Sequence, residues 1–397
     1  MNVYVNKSGK GGCKRIALDD MILTTELPTT AGSKMLENYV SLFEAEAVSK
    51  LTQAGYEISG KVNVGEFGID LLGETSFFGA CVRENGTLAS AASECLDDDV
   101  LAVLQMDING APRRAAAQNS RICVKPTYGT VSRYGTIPAA CSGETVTVTA
   151  ASAETCREIL SVISGHDDKD GTSLPEEKLS LIKAHRPIRK VAIASGLAGD
   201  SEVQIREYLT AFCKFLEKEG IEVVEIDDQI LYAARTAWNV LMSAELCNNV
   251  SRYDGVKFGY RSSNYTNIDE LYTNSRTEAF GELLKSTILF GSDMLSTENY
   301  FRMYDKALRV RRVIVDALAS VFAQCDALLL PACSARSYTL DAVKENKYLA
   351  FQENVFTAPA SISGLPVVVV GGIQLMGPAF SEYRLLDLAQ AYGKEDK

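Results

Sequence analysis

The chain has 397 residues, of which 46% are hydrophobic, an ordinary composition for a globular protein with a large core. Its net charge of -11 argues against direct nucleic-acid binding through a broad basic surface. The ten cysteines include no CxxC pair and favour reduced core thiols over a disulfide framework. The N-terminal residues contain no apolar leader, and no apolar run reaches about 18 residues, so we predict a cytoplasmic protein without a membrane span.

Hydrophobic spacing predicts alternating helices and strands along the chain. A strand, a helix and a strand between residues 190 and 226 form a β-α-β unit, which implies parallel pairing. The simplest organisation is one α/β domain over residues 1-397, with a loop at 165-171 and a frayed tail at 393-397. Helices are predicted over 37-55, 153-164, 201-219, 229-250, 268-324 and 381-392, strands over 190-194, 221-226, 327-331 and 366-370, and a buried strand or helix segment over 100-106.

Three sequence features resemble phosphate-binding or metal-binding sites, but each lacks a residue or a context that such a site requires. Residues 55-61 nearly match a phosphate-binding loop, yet Val62 stands where Ser or Thr would hold Mg²⁺, and a helix precedes the loop. The only histidines, His166 and His185, lie in charged stretches typical of the surface, so we predict no metal site and no cofactor. The acidic run 97-99 is interpreted as a solvated helix start.

Two longer motifs carry a family resemblance. Asp107-Ile-Asn-Gly-Ala-Pro-Arg-Arg-Ala-Ala116 and Val124-Lys-Pro-Thr-Tyr-Gly-Thr-Val-Ser-Arg-Tyr-Gly135 resemble the amidase signature family, which has Asp-Thr-Gly-Gly-Ser-Ile-Arg at the first position. Within that family the chain is most similar to the A subunits of tRNA-dependent amidotransferases. The resemblance implies a single amidase-signature domain, with a central mixed β-sheet covered by helices on both faces, and it implies that the family's N-terminal helical segment is missing. Further matches in the same order are residues 31-39, 60-67, 251-261, 275-281, 306-311, 354-360 and 363-366.

The resemblance also implies where the family's catalytic groups fall. In the family, a serine attacks an amide carbonyl, a second serine relays its proton and a neutral lysine is the final base. The lysine position is Asp19 and the nucleophile position is Ala111. A count without gaps from Ala111 puts the relay serine on Thr87. Because a methyl group cannot attack and losses within such a unit cost several orders of magnitude, we expect no ordinary amidase turnover.

The substrate-binding positions are partly kept. The arginine that the resemblance assigns to a substrate carboxylate is Arg311, whose guanidinium suits bidentate pairing, although a structural salt bridge would explain it equally well. The acid that holds the substrate ammonium is replaced by Asn354, and the neighbouring Glu353 is one residue out of place. Tyr260, in the retained motif 251-261, is a third candidate for substrate binding.

The leading hypothesis is a catalytically inactive, amidase-like protein with a binding or regulatory role. Its partner would be an amidotransferase B-subunit-like protein docked through the retained motifs near 251-281. A separate hypothesis is a binding module for a small carboxylate, with Arg311 at the floor of the former active-site cleft.

The alternative is a working glutamine amidohydrolase, or a working A subunit of an amidotransferase, with a relocated nucleophile. Ser90 and Ser93 lie in the former glycine-rich loop, and Cys141 and Ser142 lie in a second rewritten loop. Lys14 is the candidate base for any of them.

Overall fold

Eleven strands form one mixed sheet, in a computed structural model that describes residues 1-9, 11-12, 14-97, 99-183 and 186-395. In space the strands follow the order β1-β3-β2-β4-β6-β5-β10-β11-β9-β7-β8. The strands are Tyr4–Lys7 (β1), Arg15–Asp19 (β2), Glu57–Val62 (β3), Val100–Asp107 (β4), Ile122–Lys125 (β5), Thr145–Ala150 (β6), Lys190–Ile193 (β7), Glu222–Glu225 (β8), Ala327–Pro331 (β9), Val367–Val370 (β10) and Ile373–Met376 (β11).

The sheet combines parallel and antiparallel pairs. β2 runs parallel to β3 and β4, and β7 runs parallel to β8 and β9. The strands between these groups, β6, β5, β10 and β11, pair antiparallel with their neighbours. The pair β5–β10 joins the strands of the N-terminal part of the chain to those of the C-terminal part.

Helices cover the sheet on both faces, as the resemblance predicted. Every residue of β6, β9, β10 and β11 is buried, which requires cover on both sides because successive side chains point to opposite faces. The helices of the described part are Glu46–Gln53 (α1), Ala91–Glu94 (α2), Ala111–Gln118 (α3), Ala153–Ile163 (α4), Glu176–Leu179 (α5), Ser195–Gly199 (α6), Val203–Lys218 (α7), Gln229–Asn249 (α8), Ile268–Ala279 (α9), Glu282–Met294 (α10), Asp305–Phe322 (α11), Leu340–Glu345 (α12), Leu349–Ser363 (α13) and Glu382–Glu395 (α14).

The predicted β-α-β unit is confirmed as β7, α7 and β8, with the two strands parallel. The run 100-106 is a strand, β4, and the predicted strands 327-331 and 366-370 correspond to β9 and β10. The predicted helices 153-164 and 229-250 correspond to α4 and α8, and the long helical stretch 268-324 is divided into α9, α10 and α11.

Three local predictions were wrong. The helix predicted over 37-55 exists only as α1, because residue 45 is extended and the aromatic ring of Phe43 stacks instead on Tyr134 at 5.1 Å. The acidic run does not start a helix, because the Asp97 carboxylate accepts the N–H of Val100 at 2.7 Å in a turn that leads into β4; Asp98 lies outside the described residues. The tail from residue 393 to 395 continues α14, and the last two residues lie outside the described part.

All nine described cysteines are free, and six of them are buried, as expected of core thiols; Cys13 lies outside the described residues. His166 is on the surface, and its Nε2 lies 3.0 Å from Asp168; His185 lies outside the described residues. No helix in the described part of the chain combines the length and the apolar character needed to cross a membrane.

Candidate functional site

A small cavity of about 70 Å³ lies where β2 and β4 end and α3 begins. We call it the first cavity. Asp19, the last residue of β2, and Ala111, the first residue of α3, both line it, together with Ser90 from the segment before α2. The structure therefore brings together the two positions that the resemblance assigns to the family's lysine and nucleophile. Its volume corresponds to a few water molecules, far below the several hundred Å³ of typical ligand pockets.

A sharp turn presents residue 111 at the start of α3. Gly110, which caps this helix, has φ 101°, in the left-handed region that favours glycine. A Cβ at Gly110 would lie 2.2 Å from the Cβ of Thr357, so the close approach of the chain to α13 also requires glycine there. Pro112 in the first turn suits a helix start, where no N–H partner is needed. The turn presents a methyl group at residue 111, the position that the resemblance assigns to the nucleophile.

Both carboxylate oxygens of Asp19 accept hydrogen bonds from backbone N–H groups. Its Oδ1 accepts the N–H of Met21 at 3.0 Å, and its Oδ2 accepts the N–H of Met106 at 2.6 Å. Burial raises the pKa of Asp19 to about 6, and the two backbone donors and Lys61 oppose that rise. This carboxylate ties the end of β2 to β4, which is a structural use of the position.

The buried amine of Lys61 interacts electrostatically with Asp19, and no role was predicted for it from the sequence. Lys61 on β3 donates to the carbonyl of Ile22 and to Thr29 Oγ1, the latter at 2.9 Å. Burial lowers the pKa of Lys61 to about 8, while Asp20 and Asp19 act in the opposite direction. Lys61 does not line the first cavity, and the hydroxyl it contacts is fully buried.

This lysine also shows why the phosphate-loop match fails. Lys61 is 0% exposed within a strand, so no loop surrounds it. β3 reads Glu-Ile-Ser-Gly-Lys-Val, which has no clear apolar pattern, so the sequence carried no signal that Lys61 is a buried cation.

Thr87 is not brought to the first cavity. Its hydroxyl donates to Asn85 Oδ1 at 2.7 Å, and its backbone forms an isolated bridge with Thr339. Ser90, three residues further on, does line the cavity, and its Oγ accepts the N–H of Ser93 at 3.2 Å as the N-cap of α2. The assignment of the relay position to Thr87 stays a prediction.

The other candidate nucleophiles lie elsewhere. The Ser142 hydroxyl donates to Glu245, and Cys141 lies 3.6 Å from Asn249 Nδ2, outside the lining of the first cavity. Burial and Glu144 raise the pKa of the Cys141 thiol to about 11, which disfavours the reactive thiolate.

The remaining two candidates do not line the first cavity either. Ser93 is buried and does not line it. Lys14, the candidate base, is exposed, with its ammonium 5.8 Å from the centre of the Tyr56 ring. Of the relocated groups considered, Ser90 is therefore the one that reaches this cavity.

The three candidate substrate-binding residues do not converge. Arg311 donates to the carbonyl of Ser142 at 3.4 Å and does not line the first cavity. The Tyr260 hydroxyl donates to Glu278 at 2.7 Å, and the Lys34 ammonium lies 4.1 Å from the centre of its ring. Asn354 lines a different and larger cavity, to which neither Arg311 nor Tyr260 contributes.

Asn354 belongs to a network of amides. Its Nδ2 donates to the carbonyl of Asn109 at 2.8 Å and to Thr357 Oγ1 at 3.0 Å, and its Oδ1 accepts from Asn239 Nδ2 at 3.0 Å. A carboxylate at residue 354 would face the Asn109 carbonyl without a donor. The carboxamide therefore fits this position physically, since buried polar groups require partners.

The retained residues of the two long motifs hold the scaffold. Arg113 and Asp107 form an ion pair at 2.7 Å with both side chains fully buried, and Arg113 also donates to the carbonyl of Thr357 at 3.0 Å. Lys125 on β5 donates to the carbonyl of Leu365 at 3.1 Å. These motifs therefore fix the start of α3 and the middle of the sheet.

Comparison with known proteins identifies the class to which this scaffold belongs. The sequence model of the family described as Amidase matches residues 15–83 and 102–386. The chain therefore belongs to the amidase signature family. The stretch between the two matched segments contains Thr87, Ser90 and α2.

The similar proteins include the A subunits of one amidotransferase. The chain is 32% identical to the A subunit of the glutamyl-tRNA(Gln) amidotransferase of Janthinobacterium sp. (strain Marseille), covering 95% of this chain and 83% of the relative. The corresponding protein of Streptococcus pneumoniae (strain 70585) is also 32% identical, with 95% and 81% covered. The crystal structure of the corresponding protein of Thermotoga maritima superposes with a TM-score of 0.80 at 27% identity, covering 98% of this chain and 85% of that chain.

Proposed function

We propose that this chain is a catalytically inactive relative of the amidotransferase A subunit, with a binding or regulatory role. The observation that carries the proposal is the pair Asp19 and Ala111 beside one small cavity. Residue 111 offers no nucleophile, and both carboxylate oxygens of residue 19 already accept backbone N–H groups. An amidase of this kind needs a hydroxyl and a proton acceptor together, and losing either costs several orders of magnitude in rate.

The test is ammonia release by the purified full-length chain from glutamine, asparagine and a simple aryl amide. We expect no turnover above the blank, whereas a relative with the intact serine, serine and lysine motif serves as the positive control. Turnover that survives further purification and that a substitution at the first cavity removes would overturn the proposal.

A second candidate function rests on Ser90. Ser90 lines the first cavity, as does Asp19, whose pKa of about 6 is compatible with accepting a proton near neutral pH. In this alternative the chain is an active amidohydrolase, or an active amidotransferase A subunit, with Ser90 as its nucleophile. Against it, the Ser90 oxygen caps α2, and the Asp19 oxygens are engaged by the backbone.

A fluorophosphonate probe distinguishes the two functions, because it labels activated serines. We expect the native protein to stay unlabelled. Ser152 provides a matched control, because its Oγ also caps a helix, accepting the N–H of Thr155 at 3.1 Å. Labelling that Ser90→Ala abolishes and Ser152→Ala leaves intact would establish the relocated nucleophile and refute the inactive protein.

The proposal includes a protein partner and a cytoplasmic location. The partner is an amidotransferase B-subunit-like protein, docked on the segment from residue 251 to 281. That segment presents the apolar side chains of Phe258 and Ile268, which are 55% and 52% exposed. One of its three arginines, Arg276, makes an internal contact, because it donates to the carbonyl of Tyr253 at 3.0 Å.

Binding of a small carboxylate at Arg311 stays a prediction. The guanidinium of Arg311 contacts the carbonyl of Ser142, whereas Asn354 and Tyr260 make their contacts in other parts of the molecule. These three residues therefore give that hypothesis no common site.

A further inference from the structure

A groove on the surface lies between residues 34-39 and residues 259-261. Its volume is about 350 Å³, and it shares no lining residue with either of the cavities described above. The backbone ties its two walls together, because the N–H of Tyr260 donates to the carbonyl of Met35 at 2.7 Å. Gly259 packs closely there, since a Cβ at this position would lie 2.4 Å from the sulfur of Met35. The packing of the two segments therefore fixes the shape of the groove.

Exposed apolar side chains flank this groove on both sides. On one side, the loop 39-43 begins at the groove wall, and four of its five residues are large, apolar and exposed; Leu42 is 97% exposed. On the other side, Val256 and Phe258 are 38% and 55% exposed. Single exposed apolar residues are ordinary, but a cluster of them beside a groove marks an interaction surface.

The cations of the groove have few partners within the protein. Lys34 and Arg261 line it, and Lys257 lies on the exposed turn beside it. None of the three forms an ion pair among the described residues. The ammonium of Lys34 lies 4.1 Å from the centre of the Tyr260 ring, and Arg261 donates to the carbonyl of Gly255 at 2.7 Å. On a chain of net charge -11, these groups can pair with acids supplied from outside.

The acids near these cations mostly bind other donors of the protein. The Oδ1 of Asp254 accepts two backbone N–H groups of the following turn, at 2.8 and 3.0 Å. Glu278 interacts electrostatically with Lys34, but both of its oxygens accept side-chain hydroxyls, at 2.7 and 2.8 Å. Glu37 is the acid of the described lining. The local balance of free donors therefore favours an anionic partner.

We propose that the groove and its two apolar flanks bind an acidic segment of a partner protein that also carries large apolar side chains. This chemistry describes the partner docked on residues 251-281 and rests on that proposed role. The acidic groups of the segment pair with Lys34, Lys257 and Arg261, which sets the partner's orientation. Its apolar side chains pack on the flanks, where removing apolar area from water supplies most of the affinity.

The test titrates labelled peptides into the full-length protein and measures fluorescence anisotropy. The main probe is a peptide of about 12 residues in which Asp and Glu alternate with Phe and Leu, at low salt of about 50 mM. We expect about 10-fold weaker binding when Ser replaces every Phe and Leu. We expect about 3- to 10-fold weaker binding when Gln replaces every acid. Equal binding of the three peptides, or no binding of the main probe, would overturn the proposal.

Matched variants locate the site. Leu42→Asp and Lys257→Glu, both at exposed positions, are each expected to weaken binding of the main probe by about 5- to 10-fold. Glu37→Gln removes the acid of the lining and is expected to strengthen binding about 2-fold. The controls are Leu289→Asp on α10 and Lys214→Glu on α7, which are exposed, lie outside the surface and should bind as the native protein does. Native-like binding by folded Leu42→Asp would refute this location.

Two other occupants of the surface are measured alongside. A single-stranded oligothymidine that binds more tightly than the main probe would replace the acidic segment with a nucleic acid. Sedimentation velocity reports on a second copy of this chain, and a dimer that Leu42→Asp dissociates would show that the surface serves self-association. We expect a weaker oligonucleotide and no such dimer.

The outcomes also distinguish this surface from the proposed function. Failure of the main probe to bind the folded native protein refutes the partner chemistry, whatever the ammonia assay gives. Ammonia release from amides refutes the inactive role, while the peptides and the groove variants still report on the surface.

Discussion

Asp20 and Asp19 are neighbouring carboxylates that are both buried, with Lys61 as a nearby cation. The Oδ2 of Asp20 accepts the N–H of Thr30 at 3.1 Å, whereas its Oδ1 is buried without a partner among the described residues. Burial raises the pKa of Asp20 to about 6, and Thr30 and Lys61 oppose that rise. The pair therefore makes the free energy of unfolding depend on pH, and this effect does not require a catalytic role for either carboxylate.

Removing the Asp20 carboxylate should flatten the pH dependence of stability. Between about pH 4 and 6 the folded protein keeps a proton that the unfolded chain has lost, so rising pH lowers the free energy of unfolding. For Asp20→Asn we expect this decline to be smaller by up to about 1.4 kcal/mol per pH unit. Urea unfolding at a series of pH values measures it. Asp269→Asn, at an exposed position, is the control; parallel curves for native protein and Asp20→Asn would contradict the prediction.

For single residues, the sequence predicted which motif a residue belongs to better than it predicted which contacts its side chain makes. Asp19 and Ala111 each lie in a stretch that the family's sequence model matches, which gives their assignment an anchor, although it stays a prediction. Thr87 lies in the stretch that the family's sequence model does not match, where a residue count has no anchor. The contacts of Arg311 depend on how α11 packs against the loop before β6, and no local pattern encodes that packing.

Close packing of α8 against α10 depends on one small residue. Gly291 is buried within α10, and a Cβ there would lie 2.0 Å from the carbonyl oxygen of Ser243 on α8. The neighbouring Phe290 lines the larger cavity to which Asn354 contributes, so the separation of these helices also sets the shape of that cavity.

We expect Gly291→Ala to lower the free energy of unfolding by about 1–3 kcal/mol, because the two helices must move apart. Gly199, in α6, is the matched control: it is helical and exposed, and a Cβ there meets nothing within 4 Å. Gly199→Ala is expected to be neutral or stabilising by up to about 1 kcal/mol. Thermal and denaturant unfolding measure both, and equal effects of the two substitutions would disprove this account of the packing.

Elements with a dense apolar pattern were predictable, and polar buried strands were not. β9 and β10 are short aliphatic runs that are recognised at once. β6 reads Thr-Val-Thr-Val-Thr-Ala and is entirely buried, yet the sequence analysis predicted no strand there. The Thr149 hydroxyl donates to Gln105 Oε1 at 2.8 Å, a tertiary partner that the sequence pattern does not display. The alternation of threonine and valine is the signal for a strand, and the sequence analysis missed it.

The two parts of the sheet meet at a single pair of strands. Val124 of β5 lies opposite Val368 of β10, and both are fully buried. β5 comes from the first third of the chain, and β10 comes from its end. The sequence predicted one domain, but it could not predict this pairing, because strand order depends on contacts between distant segments.

A chain that ends at residue 364 lacks β10, β11 and α14 and leaves β5 with an open edge. We expect it to have no cooperative unfolding transition and to bind a hydrophobic dye such as ANS. The control is deletion of residues 1-8, which removes only the edge strand β1 and should keep a cooperative transition. A sharp thermal transition in the shortened chain would contradict the prediction.

The β5–β10 pair also has a consequence for synthesis on the ribosome. While translation proceeds towards residue 367, the nascent chain carries the complete set of strands β1 to β6, in which β5 has no neighbour on one side. Unpaired apolar edges of this kind attract other chains and chaperones. The time needed to translate the segment between β6 and the end of β10 therefore determines how long the β5 edge stays open to aggregation.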